Sequence, residues 1–210
     1  NTVDLLWFPT GGGKTEAYLA ITAFEILRRR LCLGDEGGGT SVWMRYTLRL
    51  LSSQQFERCT TLISVLECLR RKSPSKFGSE PISLGLWVGN DTTPNRLMNA
   101  GENTETAHSI LQQVLEEAKP ENKFQISMCP RCGTKIIPDK KGALECYGVD
   151  VTEKEFRLFC PDKKCDLNDK IPVSIVDEDL YLKPPTLLLG TVDKFARMLH
   201  QQESWSFMGL

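Results

Sequence analysis

Lys14 and Thr15 close the run Phe8-Pro9-Thr10-Gly11-Gly12-Gly13-Lys14-Thr15-Glu16, which directly follows the apolar stretch Val3 to Phe8. Residues of these types in this order make a cradle for nucleotide phosphates. Glycine N–H groups without side chains face the phosphate oxygens, a lysine neutralises the β/γ charge, and a Thr hydroxyl ligates Mg²⁺ where a helix begins. On this reading Thr10, Gly11, Gly12, Gly13, Lys14, Thr15 and Glu16 hold ATP and Mg²⁺, with Lys14 and Thr15 in the catalytic roles. The competing reading is a plain glycine turn; it does not account for a strand, a Gly-x-Gly-Lys-Thr run and an apolar helix in succession.

Cysteine chemistry is concentrated elsewhere. Of eight cysteines, Cys129, Cys132, Cys146, Cys160 and Cys165 fall in one short region. Cys129-Pro130-Arg131-Cys132-Gly133 has the spacing of a zinc knuckle, with Gly133 letting the turn aim N–H groups at sulfur. Cys160-Pro161-Asp162-Lys163-Lys164-Cys165 forms a wider second knuckle, so Cys129, Cys132, Cys160 and Cys165 are the expected Zn²⁺ ligands. Cys146 is an alternative to either cysteine of the second pair. A closed four-thiolate site has no open coordination position, so its role is scaffolding. Cys32, Cys59 and Cys68 lack ligand spacing and read as small apolar fillers. His108 and His200 lack partners at relay or ligand spacing and read as surface residues, while Trp43 and Trp87 fall in expected strands and read as core.

The elements that would position these groups alternate. Residues 15–33 read as a helix with Ala17, Ala20, Ile21, Phe24 and Leu27 at helical spacing, and 34–40 as a flexible connector. A strand at 41–47, a helix at 53–72 and a strand at 82–88 follow. Such alternation implies a parallel sheet with helices on both faces. The pattern breaks at 93–183, which reads as an insertion carrying an amphipathic helix over 105–119 and a zinc ribbon over about 126–168. Core character returns with the apolar run Thr186 to Gly190, so 1–92 and 184–210 form one partial lobe. Ile175-Val176-Asp177-Glu178-Asp179 resembles the Asp-Glu motif of superfamily 2 helicases, but Leu180 stands where that motif has Asp or His, and the segment precedes Thr191, whose counterpart in that superfamily comes before the carboxylates. Asp177 and Glu178 therefore read as acidic surface, with the catalytic carboxylates expected beyond Leu210.

A net charge of −1 with 40% apolar residues gives no global polyanion-binding signature, so any nucleic-acid contact must be local. No stretch reaches the length of an apolar membrane span and no signal segment opens the chain, which reads as cytoplasmic with no membrane contact. Beginning at Asn1 inside a core strand, the sequence reads as a segment of a larger protein.

With the phosphate loop placed, later segments resemble the motif order of superfamily 2 helicases. Thr47-Leu48-Arg49-Leu50-Leu51-Ser52-Ser53-Gln54 is similar to that superfamily's second motif at Arg49, Leu51 and Gln54, with Thr47-Leu48 departing from Pro-Thr. Gly190-Thr191-Val192-Asp193-Lys194-Phe195 resembles the Thr-Pro-Gly-Arg motif, with Val192 and Asp193 departing. Phe8, standing six residues before Lys14 where the general phosphate-loop pattern has glycine, narrows the class toward helicases and translocases, which relax that position. Together with Trp87-Val88-Gly89 and the cysteine segment ahead of Gly190, the chain resembles the helicase subunit of the bacterial DISARM anti-phage system. That resemblance implies a RecA-like lobe, ATP hydrolysis, DNA as substrate and a partner protein in a defence complex. It also implies nucleic-acid contacts by Arg49, Gln54, Thr191, Lys194 and Arg197. Two other readings share these residues: a double-strand DNA translocase of a restriction or remodelling motor, and a nucleotide-gated binding module that does not hydrolyse ATP.

Overall fold

The computed structural model describes residues 13–47, 53–89, 91–98 and 105–210. Phe8 to Gly12 and Arg49 lie outside them.

Gly13 opens the first helix from the left-handed region, φ 74° and ψ 23°, a conformation that costs a residue without Cβ nothing. Helix α1 (Lys14–Leu33) then leads into β1 (Val42–Tyr46), α2 (Ser53–Lys72), the short α3 (Pro74–Phe77) and β2 (Leu84–Trp87). Helix α4 (Ala107–Glu116) follows, closed at its start by a reciprocal Thr106–Ser109 capping box. The remaining elements are the hairpin β3 (Val149–Val151) and β4 (Phe156–Leu158), then β5 (Val173–Ser174), α5 (Asp177–Leu182), β6 (Leu187–Thr191) and α6 (Val192–Arg197).

Four strands form a parallel sheet in the order β1-β6-β2-β5. Apolar side chains alternate across it. Leu187 and Leu189 join Leu84 and Leu86 on one face, over Ile26 of α1 and Phe56, Ile63 and Leu66 of α2. Leu188 and Trp87 point to the other, against Leu180, Met198 and Phe207. Strands buried on both faces read as continuous apolar runs, which is why 186–190 was legible. The result is a mixed α/β fold with a parallel sheet between helices, compatible with a RecA-like arrangement.

Several expectations need correction. Helix α1 buries Thr22, Ile26 and Arg30, while Ile21 and Phe24 are 52% and 67% exposed. Apolar residues surround this helix, so spacing alone did not select the covered face; Arg30 is drawn in by the Pro81 carbonyl, 2.9 Å from Nη2. The connector 34–40 is not free: Gly34–Gly37 forms a 3₁₀ turn, and Asp35 accepts from the Ser79 and Glu80 backbone N–H groups. The segment expected as an insertion also supplies β5 to the sheet, and Ile110, Phe124, Phe156 and Ile171 continue the same apolar core as Leu84 and Leu187.

A buried carboxylate ties the layers. Glu67 accepts from Arg70 Nε and Nη2, from Arg71 Nε and from the backbone N–H of Ile82. Arg71 reaches on to Asp169 Oδ1 at 2.7 Å and to the Lys170 carbonyl, so the cysteine-bearing segment is clamped to α2. Among the described residues no helix is long and apolar enough to cross a membrane.

Candidate metal centre and strand-edge site

Two turns bring the four expected cysteines together. In the first, the Cys129 N–H donates to the Thr134 carbonyl at 2.7 Å and the Gly133 N–H to the Cys129 carbonyl at 2.9 Å, with Gly133 at φ 76°. In the second, the Cys160 N–H donates to the Leu167 carbonyl at 2.9 Å and Asn168 Nδ2 to the Cys160 carbonyl at 2.9 Å. The sulfurs of Cys129, Cys132, Cys160 and Cys165 all lie within 4.8 Å of one another. Cys129 and Cys165 sulfurs are 3.7 Å apart, and those of Cys132 and Cys160 are 3.4 Å apart. A tetrahedron with Zn–S bonds of about 2.3 Å has S–S edges of about 3.8 Å, so the donor set fits a tetrahedral thiophilic ion such as Zn²⁺. Cys146 is exposed and outside this group.

The metal-free thiols differ in acidity. The hydrogen bond with Thr134, whose Oγ1 is 3.2 Å from sulfur, draws Cys132 down to about 6. Burial pushes Cys165 up to about 11 and Cys160 higher still. Leu167 N–H faces the Cys165 sulfur at 3.5 Å, a donor suited to a thiolate. Of the fillers, Cys59 is buried as expected, whereas Cys32 is exposed at the end of α1.

At the C-terminal ends of the sheet's strands, parallel pairing sets Tyr46 opposite Thr191 and Trp87 opposite Gly190. The segments leaving β1, β2 and β6 therefore emerge at one edge, where open α/β sheets place their ligands. Lys14 is exposed in the first turn of α1, and Glu16 forms an ion pair with Arg58 of α2. Gln54 is exposed in the first turn of α2, Thr191 is buried as the N-cap of α6, and Arg197 is exposed near its end.

Lys194 is different. It is 8% exposed, ion-paired with Asp177 Oδ2, and its ammonium lies 5.8 Å from the centre of the Trp87 ring. Asp177, expected at the surface, is 2% exposed, and Glu178 is half-buried with Oε2 accepting the Leu97 N–H at 2.8 Å. Tyr181 completes the group: its hydroxyl accepts from Trp87 Nε1 at 3.0 Å and Gln201 Nε2 at 2.9 Å and donates to Asp177 Oδ2 at 3.3 Å. Burial pushes the Asp177 carboxyl above its ordinary range and Lys194 counters this, while burial also raises Tyr181. Phe195 and Phe207 pack edge-on against Trp87, and Trp43, 38% exposed and not core as expected, stacks on Phe195. The spacing of Asp177 and Tyr181, one helical turn apart, was the available signal for this cluster.

A cavity of about 910 Å³ lies at the opposite edge, where Thr40, Ser83 and Pro185 lead into β1, β2 and β6. It is remote from the Lys14 end.

Fold and centre thus define an α/β protein with a parallel sheet and a four-cysteine candidate metal site. In sequence the chain is similar to the DISARM protein DrmA of Bacillus paralicheniformis, 40% identical over 213 aligned residues that take in 99% of this chain. It spans 18% of that protein's length, about a fifth. No protein-family profile matches the chain.

Proposed function

We propose that this chain belongs to the first RecA-like lobe of a superfamily 2 helicase or translocase that hydrolyses ATP and acts on DNA in bacterial defence against phage. The observation that carries the reading is its similarity, along almost its whole length, to a DISARM protein. Gly13 in a left-handed cap ahead of Lys14 and Thr15, and a parallel sheet whose C-terminal edge faces one way, support it. Thr10, Gly11, Gly12, Gly13, Lys14 and Thr15 hold the triphosphate and Mg²⁺ in this proposal, while the carboxylates that hydrolysis requires come from the remainder of the protein. Arg49, Gln54, Thr191 and Arg197 line the path of a nucleic-acid backbone. The four cysteines hold Zn²⁺, which when bound supplies a closed crosslink between two turns and no open coordination position. The protein works in the cytoplasm with a partner of the same defence system.

The test is Lys14→Ala in the full-length protein. Loss of ATP hydrolysis with an unchanged melting temperature is the expected result, because the exposed lysine acts on phosphate charge and takes no part in the core. A folded variant with undiminished hydrolysis overturns the phosphate-loop assignment.

A further inference from the structure

The Thr191–Lys194 segment was expected to present a cation to a phosphate, yet the cation is turned inward. Lys194 leaves the first turn of α6, directly after β6, and its ammonium meets Asp177 on α5. The side chains of the pair are 10% and 4% exposed. Trp87 at the end of β2 lies beneath the ammonium, and Tyr181 bridges Asp177 to Trp87 and to Gln201. Three segments that meet at the C-terminal edge of the sheet are therefore joined through one carboxylate. Moving Lys194 out to a phosphate would strand Asp177 without its counter-ion in an aromatic pocket, where among the described residues its Oδ1 has no hydrogen bond within 3.5 Å. Removing one member of a buried ion pair costs far more than an exposed contact returns.

We propose that Asp177 and Lys194 are positioning residues for the Thr191 loop: their buried pair fixes the start of α6 so that the loop backbone, and not the Lys194 ammonium, faces a bound strand. The proposal rests on the reading of this edge as a nucleic-acid path. It differs from a phosphate-contact role in one measurable respect. A lysine that neutralises a phosphate releases a counterion, so its loss lowers the slope of log affinity against log salt by about 0.7 on a single strand. A lysine that only shapes the loop leaves that slope alone.

The experiment uses the full-length protein, a fluorescent single-stranded DNA oligonucleotide and a salt titration. Lys194→Met and Asp177→Asn should each weaken binding about tenfold with the wild-type salt slope. The double variant should be no weaker than either single, as for partners in one interaction. The exchanged pair, Asp177→Lys with Lys194→Asp, should recover part of the affinity. A slope reduced in Lys194→Met but not in Asp177→Asn overturns the proposal, as does Asp177→Asn with unchanged affinity. Hydrogen exchange of the 191–196 amides supplies a readout independent of binding: it should accelerate in Asp177→Asn, and unchanged exchange overturns the positioning role. Should the wild type bind no oligonucleotide, the nucleic-acid reading of this edge falls, and hydrogen exchange still decides whether the pair fixes the loop.

Discussion

At the scale of single residues, the four cysteines show most directly how local chemistry sets behaviour. Without metal, burial holds Cys160 and Cys165 in the thiol form at neutral pH, whereas Cys132 is drawn down to about 6 by its Thr134 hydrogen bond. A bound ion requires thiolates, so binding must expel the protons of the raised groups. The sign follows: lowering pH favours the thiols and weakens the metal. Apparent zinc affinity should climb between about pH 6 and 8, by roughly tenfold per pH unit for each proton released, and a chelator competition across that range measures it. A flat profile would count against the four-thiolate assignment. Cys129→Ser should lose the metal by elemental analysis, and Cys146→Ser, altering an exposed thiol outside the cluster, should keep it. Arg197, exposed where Lys194 is buried, makes the complementary case. Its replacement by Ala should weaken single-strand binding and lower the salt slope by about 0.7, with an unchanged slope returning it to solvated surface.

At the scale of elements, the joint between α2 and the cysteine-bearing segment is the informative one. Glu67 is 1% exposed and satisfies Arg70, Arg71 and the Ile82 N–H at once, so no residue can replace it without leaving a buried donor unpaired. Glu67→Gln should lower unfolding stability by about 3 kcal/mol in urea titrations while the zinc content stays at the wild-type value, because Arg71 touches Asp169 and not the ligands. Loss of zinc together with stability would mean that the clamp also shapes the metal site. This joint shows what the sequence conveys and what it withholds. Helix α2 ends as 53–72 foretold, and the strands at 41–47, 82–88 and 186–190 differ from those observed by a residue or two at their ends, because apolar runs and their breakers are local signals. The paired cysteine turns were legible for the same reason. Glu67, Asp177 and Lys194 were not: a charged residue is buried only when a distant segment brings its partner, and composition near Asp177 looks like surface until α5 is docked beside Trp87. The covered face of α1 was misread because Ile21 and Phe24 compete with Leu19, Ala23 and Ile26, and only packing decides between two apolar stripes.

At the scale of the whole molecule, the sheet is where the proposed chemistry must be completed. Among the described residues β1 is an edge strand, paired to β6 on one side only. No described residue pairs with the backbone groups on its other side, and parallel sheets of this kind are seldom left with a bare apolar edge. Under the proposed function the Asp that holds Mg²⁺ and the Glu that orients water come from elsewhere in the protein, since among the described residues Asp177 is engaged by Lys194 and Glu178 by the Leu97 N–H. In the full-length protein, the sequence after Leu210 should carry an apolar strand ending in Asp-Glu within roughly a few tens of residues, adding to this sheet near the phosphate loop. Reading that sequence tests the first part, and replacing that Glu with Gln should abolish hydrolysis while ATP still binds. Asp177→Asn supplies the decisive contrast. Under the positioning role it weakens DNA binding but leaves DNA-independent ATP hydrolysis within about twofold of wild type, since Asp177 is engaged by Lys194 and Tyr181. If that variant folds and hydrolysis is abolished, Asp177 belongs to the catalytic machinery after all, and the order of segments that placed the carboxylates downstream must be abandoned.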